Sequence, residues 1–113
     1  MRTHSENLKR RASQARTGWS ASETAALLAL YDVMLALQDA GALGAGGTTK
    51  AALVRSFIAE HAPHRSKGSV ESKLMNASAC RVEMGLPIVD GYKALPNMAS
   101  ACREMAESHW GQS

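Results

Sequence analysis

Aromatic residues are scarce: Phe, Trp and Tyr together make up 4% of the 113 residues. A core must therefore rest on Leu, Ala, Met and Val, and the abundance of Ala, Leu and Met favours helix over sheet. Cysteine is scarce too. Cys80 and Cys102 fall inside predicted helices and form no CxxC pair, so free, buried thiols in a reducing cytoplasm are expected. No apolar run approaches the ~20 residues needed to span a bilayer. No apolar stretch of signal-peptide type follows the basic N-terminus, so a cytoplasmic chain with no membrane partner is expected. Catalytic signatures are missing as well: there is no HExxH, no Walker loop and no Gly-x-Ser-x-Gly. Gly41, Gly44, Gly46 and Gly47 form a loose loop, but no Gly-Lys-Ser/Thr follows it. His61 and His64 lie three apart without the further ligands a metal needs. The acids are scattered over different helices, so a non-enzymatic protein without cofactor or metal is expected.

What is present is a globular composition, with 45% hydrophobic and 20% charged residues, in a chain of one-domain length. The net charge of +3 is unevenly spread. Residues 1–18 carry Arg2, Lys9, Arg10, Arg11 and Arg16 against Glu6, whereas residues 19–47 carry only Glu23, Asp32 and Asp39. Residues 48–94 are again basic, with seven bases against four acids, and the tail from 95 is slightly acidic. Clustered positive charge suits a polyanion partner. Residues 1–17 read as a flexible basic arm, either lying along phosphates or a minor groove or serving as a solvated tail. Residues 18–113 read as a single helical domain.

Ser20-Ala21-Ser22-Glu23 matches a capping box, with Trp19 placed for a hydrophobic staple. The first helix is predicted over 21–39, with Leu27, Leu30, Tyr31, Met34 and Leu37 as its core stripe and Leu28 and Leu35 beside it. Thr48 or Thr49 caps a second helix that runs to about Glu60 and buries Ala52, Leu53, Phe57 and Ile58. Pro63 closes it. A third helix is capped by Ser69 or, if it starts earlier, Ser66, and is closed by Gly85 and Pro87. Residues 86–93 then hold an apolar patch and an Asp-Gly turn, which either pair as an edge strand or lie across the helices. A fourth helix is predicted from about Pro96, with Met98, Cys102, Met105 and His109 along one side, Arg103 paired with Glu107, and Trp110 as an apolar anchor.

The third helix, together with the basic, serine-rich turn before it, is the organising stretch. Val70, Leu74, Ala77 and Met84 fall on one side, and Ser72, Lys73, Asn76 and Glu83 on another. A packed side opposite a small-polar and lysine side is the pattern of a DNA recognition helix; the plainer alternative is an ordinary solvated face. On the first reading Ser72, Lys73 and Asn76 face bases. Arg65, Ser66, Lys67 and Ser69 hold phosphates at the helix N-terminus, where N–H groups and dipole favour anions. Asn76 either contacts adenine in bidentate fashion or bonds a neighbouring backbone group. Arg10, Arg11 and Arg16 of the arm add nonspecific affinity.

Trp19-Ser20 with Glu23, then Arg65, Ser66, Gly68, Ser69, Glu71, Lys73, Asn76, Ser78 and Ala79, then Gly85 with Pro87 and Gly91-Tyr92-Lys93, carry a resemblance. Over about residues 18–98 the chain resembles the Myb/SANT-like N-terminal domain of bacterial HNH-type restriction endonucleases. It departs in having Ala94 where that pattern has Pro, and no nuclease domain is expected after it. The resemblance implies an all-α, compact trihelical core of Myb or helix-turn-helix type, here with a fourth C-terminal helix, and a module that binds double-stranded DNA. The leading expectation is a small DNA-binding protein of a phage or other mobile element. The alternative is a protein-binding inhibitor of a bacterial defence complex, of anti-CRISPR kind, with Leu28, Leu35, Ile88, Val89 and Trp110 as its apolar surplus. The same residues also allow a homodimer.

Overall fold

The first helix begins where the capping pattern puts it. In a computed structural model, which describes residues 18–44 and 46–111, Ser20 Oγ accepts the Glu23 N–H at 3.1 Å and Glu23 Oε1 accepts the Ser20 N–H at 3.0 Å. Two amide donors that have no helical partner are thereby satisfied at once. Helix α1 runs Ala21–Asp39 and buries Thr24, Leu27, Leu28, Tyr31 and Met34. The stripe is thus turned toward Leu28, with Leu30, Leu35 and Leu37 at its half-buried margins. Gly41, at φ 70°, turns the chain out of α1.

Helix α2, Lys50–His61, is capped by Thr49, whose hydroxyl accepts the Ala52 N–H at 3.1 Å. Its buried residues are Val54 and Phe57, while Leu53 and Ile58 pack on the margin. Helix α3, Lys67–Glu83, is capped by Ser66, which accepts the Ser69 N–H at 3.1 Å. The cap is therefore not Ser69, which lies inside the first turn. Gly85, at φ 74°, ends this helix as the sequence pattern requires. Helix α4, Ser100–Trp110, starts later than Pro96 and has no side-chain cap. Pro96 belongs to the linker instead, because the Leu95 and Pro96 carbonyls accept bonds from the Asn76 amide of α3.

Helix α1 touches all three other helices, α3 touches α2 and α4, and α4 packs on α1 and α3. The described residues thus form an all-helical fold, a three-helix core with a fourth helix laid on α1 and α3. Among them the one β-type pairing is the isolated bridge Leu43–Thr48. Residues 86–92 cross the helices rather than forming an edge strand. Tyr31 Oη binds Ser78 Oγ at 2.6 Å and accepts the Val89 N–H at 3.0 Å. Gln38 brackets the same crossing, donating to Ile88 O and accepting from Asp90 N. Lys50 donates to Asp90 O at 2.7 Å and lies 4.6 Å from the Tyr92 ring centroid.

Arg81 is a buried cation that welds three elements together. Its Nε donates to Pro87 O at 2.6 Å, and its guanidinium lies 5.7 Å from the Tyr31 ring and 4.8 Å from the Trp110 ring. Trp110 in turn meets Tyr31 edge-on and donates Nε1–H to Asp32 at 2.8 Å. Arg103 binds Glu83 across the α3–α4 seam, and its expected partner Glu107 is farther, at 4.0 Å. Cys80 and Cys102 are free and buried. No helix of the described residues is long and apolar enough to cross a membrane.

Candidate nucleic-acid interface

The turn between α2 and α3 is built on Trp19. Its ring stacks on Phe57 of α2 with centroids 6.1 Å apart, so the Trp ties the start of α1 to α2. The Arg65 guanidinium lies 4.3 Å from the other element of this stack, the Trp19 ring centroid, and the Lys73 ammonium lies 5.6 Å from it. A cation over an indole face is attracted by the ring quadrupole. Arg65 also grips Glu23 through Nε at 3.1 Å and Nη2 at 3.2 Å, and donates to Gly18 O. His64 Nε2 approaches Glu23 Oε2 at 3.2 Å. Burial pushes the Glu23 carboxyl up, but the bonds from Arg65 and Ser20 outweigh it, and the group titrates below the usual carboxylate range.

This geometry changes the role of Arg65. The residue is only 7% exposed, and its donors go to Glu23 and Gly18. It is a structural clamp rather than a phosphate ligand, because a guanidinium so enclosed cannot reach a groove without opening the turn. Asn76 is corrected in the same way. It is 8% exposed, and its amide is spent on the carbonyls of Leu95 and Pro96. Of its two readings, base contact and backbone bond, the second is the one found. Residues 76–81 of α3 are all buried, enclosed by α1, the crossing segment and the linker to α4. Outward-facing residues of α3 lie in its N-terminal half and at its last two positions, Val82 and Glu83.

That half brings together most of the remaining sequence-predicted residues. Ser66 caps the helix and is exposed, as are Lys67 and Ser72, while Ser69 and Lys73 are half-buried. Arg10, Arg11 and Arg16, with the whole predicted arm, lie outside the described residues. Sequence reasoning missed Trp19 as the platform under the two cations. The signal was its spacing from Glu23, which puts it on the side of α1 that the basic turn must close. It also missed how few bases of residues 48–94 are available: Arg65 and Arg81 are buried, Lys50 holds Asp90 O and Lys73 is half-buried beside Trp19, which leaves Arg55, Lys67 and Lys93 exposed. Residues 1–17 hold five of the thirteen bases and one of the ten acids, which leaves eight bases against nine acids in the rest of the chain. The positive excess therefore resides in the arm.

The apolar surplus is also reassigned. Leu28 and Val89 belong to the core, and Leu35 and Trp110 pack against it. Among the described residues the exposed large apolar side chains are Val33, Val82 and Leu95. Among them, too, no cluster of three His, Cys, Asp or Glu residues could hold a metal ion. Comparisons with protein-family models, with curated proteins and with solved structures find no match to this chain.

Proposed function

We propose that the chain is a small, non-enzymatic module that binds double-stranded DNA, of the Myb/SANT-like kind found at the N-terminus of bacterial HNH-type restriction endonucleases and carried by a phage or other mobile element. The observation that carries this reading is the Arg65 clamp on Gly18 O. It joins the +4 arm to the fold one residue before the α3 cap. Gly18, where the segment that carries Arg10, Arg11 and Arg16 meets the described residues, therefore lies at the end of the molecule that presents Lys67, Ser72 and Lys73. A helix N-terminus adds N–H donors and a favourable dipole for phosphate at the same end. In this arrangement the arm and Lys67 bind backbone phosphates, and Ser72 and Lys73 face the groove. Asn76 and Arg65 hold the scaffold.

The test is a double charge reversal, Lys67→Glu with Lys73→Glu, titrated against mixed-sequence duplex by fluorescence anisotropy. Affinity should fall by roughly tenfold or more, since each lost phosphate contact removes a counterion-release contribution. Thermal melting checks that the loss of the Lys73–Trp19 contact leaves the fold intact. Unchanged affinity in a folded double variant would remove α3 from the interface. A protein-binding inhibitor of a bacterial defence complex is the second reading. With Leu28 and Val89 in the core, no observation favours it, nor a homodimer built on the same residues. A stoichiometric host protein that stays bound after nuclease treatment would restore it.

A further inference from the structure

Ala101, Glu104, Met105 and Ser108 recur along α4 at i, i+3, i+4 and i+7, so they share one side of that helix. Cys102 and Ala106 are its buried residues. The shared side lines a cleft of about 370 Å³, whose other wall is Trp19 and Ala21 at the start of α1. That volume is within the ~300–1,000 Å³ of small-molecule sites. Short side chains keep the cleft open, since Ala21 on one wall and Ala101 on the other are single methyl groups. Thr24 and Cys102 complete the lining. Both are buried, Thr24 Oγ1 lies 3.5 Å from Cys102 Sγ, and it also donates to Ser20 O at 2.9 Å. Their polar atoms are therefore satisfied within the fold.

Glu104 and Ser108 are different. Both are exposed at the cleft, and neither side chain has a hydrogen bond or ion pair among the described residues. The neighbouring acids Glu83 and Glu107 share Arg103, which leaves Glu104 with its charge uncompensated. One helical turn separates Glu104 from Ser108, so their Cβ atoms are roughly 5–6 Å apart and one nitrogen can reach both side chains. A primary ammonium carries three donors and no acceptor, which suits a carboxylate beside a hydroxyl. The Trp19 ring and the Met105 thioether suit a flat apolar body, since sulfur and ring edges both pack well on aromatic groups. An anion of the same shape would meet Glu104 and be repelled. We propose that this cleft binds a small primary amine with a flat apolar body, its ammonium held by Glu104 and Ser108 and its body between Trp19 and Met105. The site makes no use of α3 and stands apart from the DNA reading.

The test titrates 2-phenylethylamine into the isotope-labelled full chain at neutral pH and constant ionic strength, followed by amide NMR. Saturable shifts are expected at Ala101, Glu104, Met105 and Ser108. Gln38 and Asp39, at the far end of the 19-residue helix α1, should not move. 3-Phenylpropionate, the same ring on an anion, should leave all of these signals in place. The neutral 2-phenylethanol should bind about threefold more weakly than the amine, and Glu104→Gln should weaken the amine by a similar factor, the scale of one solvent-exposed ion pair. Glu104 is exposed and unpaired, so that variant keeps its fold. Ala101→Leu fills the cleft from an exposed helical position and should abolish the shifts, with thermal melting verifying that the variant is folded. Equal binding of the three probes, a response that either folded variant leaves unchanged, or no saturable shift at the four α4 amides would overturn the proposal. So would movement of those amides when the protein alone is concentrated, since a second copy would then be the occupant.

Discussion

Tyr31→Phe isolates the contribution of a single oxygen. The ring is fully buried, with the Trp110 edge and the Arg81 guanidinium beside it, and Phe preserves both contacts. What disappears is the hydroxyl that accepts the Val89 N–H at 3.0 Å and pairs with Ser78 Oγ at 2.6 Å. Ser78 sits inside α3, where a serine hydroxyl can turn to the carbonyl one turn back, so its share of the cost is small. Val89 N–H has no such exit, and an unsatisfied buried donor costs ~1–3 kcal/mol. The expected loss is about 2 kcal/mol, a large part of the ~5–15 kcal/mol that stabilises a domain of this size. By the usual scaling of about 4–8 °C per kcal/mol, the melting temperature should fall by roughly 10 °C. Urea unfolding followed by far-UV circular dichroism measures it, with the midpoint moving and the slope unchanged. Amide exchange at Val89 should quicken at the same time. A loss below about 0.5 kcal/mol would refute the claim that this hydroxyl pins the crossing segment to the core, because less than one unsatisfied donor would be accounted for.

Three further outcomes follow from the same contacts. Because Glu23 is held below the usual carboxylate range in the folded state, its contribution is complete above that range and is lost as pH falls through its folded pKa. Urea midpoints measured between about pH 3 and pH 6 should therefore decline more steeply for the parent than for Glu23→Gln. Asn76→Ala should cost ~1–3 kcal/mol in chemical denaturation, as two carbonyls lose their donor, while the folded variant keeps the parent's DNA affinity. Burial pushes the Cys80 thiol up and both thiols are enclosed, so a disulfide-exchange reagent should titrate neither in the native protein and both in denaturant.

Local features were legible in the residues, and destinations were not. The Ser20–Glu23 box, Thr49, Gly41 and Gly85 act within one turn of their own positions, so spacing alone identifies them. The choice between Ser66 and Ser69 was not legible, because both precede the same apolar run and only the turn clamped by Arg65 decides it. Asn76 and Arg65 are polar residues whose partners lie 19 and 42 residues away, a pairing no helical period encodes. A signal was present nonetheless. Ala77-Ser78-Ala79-Cys80 is a run of small residues without a polar side, the mark of a helix enclosed all round. The same enclosure explains the α4 boundary, since Pro96 serves Asn76 in the linker rather than opening a helix.

In the proposed DNA-binding function the arm and the start of α3 form one phosphate-binding face. The slope of log affinity against log salt for duplex DNA tests it most directly. If Arg10, Arg11, Arg16 and Lys67 each neutralise a phosphate, the slope is about −3.6, and it falls to about −0.9 when the three arginines are replaced by Gln. A slope near zero in the parent, or one unmoved by the triple replacement, would contradict the account.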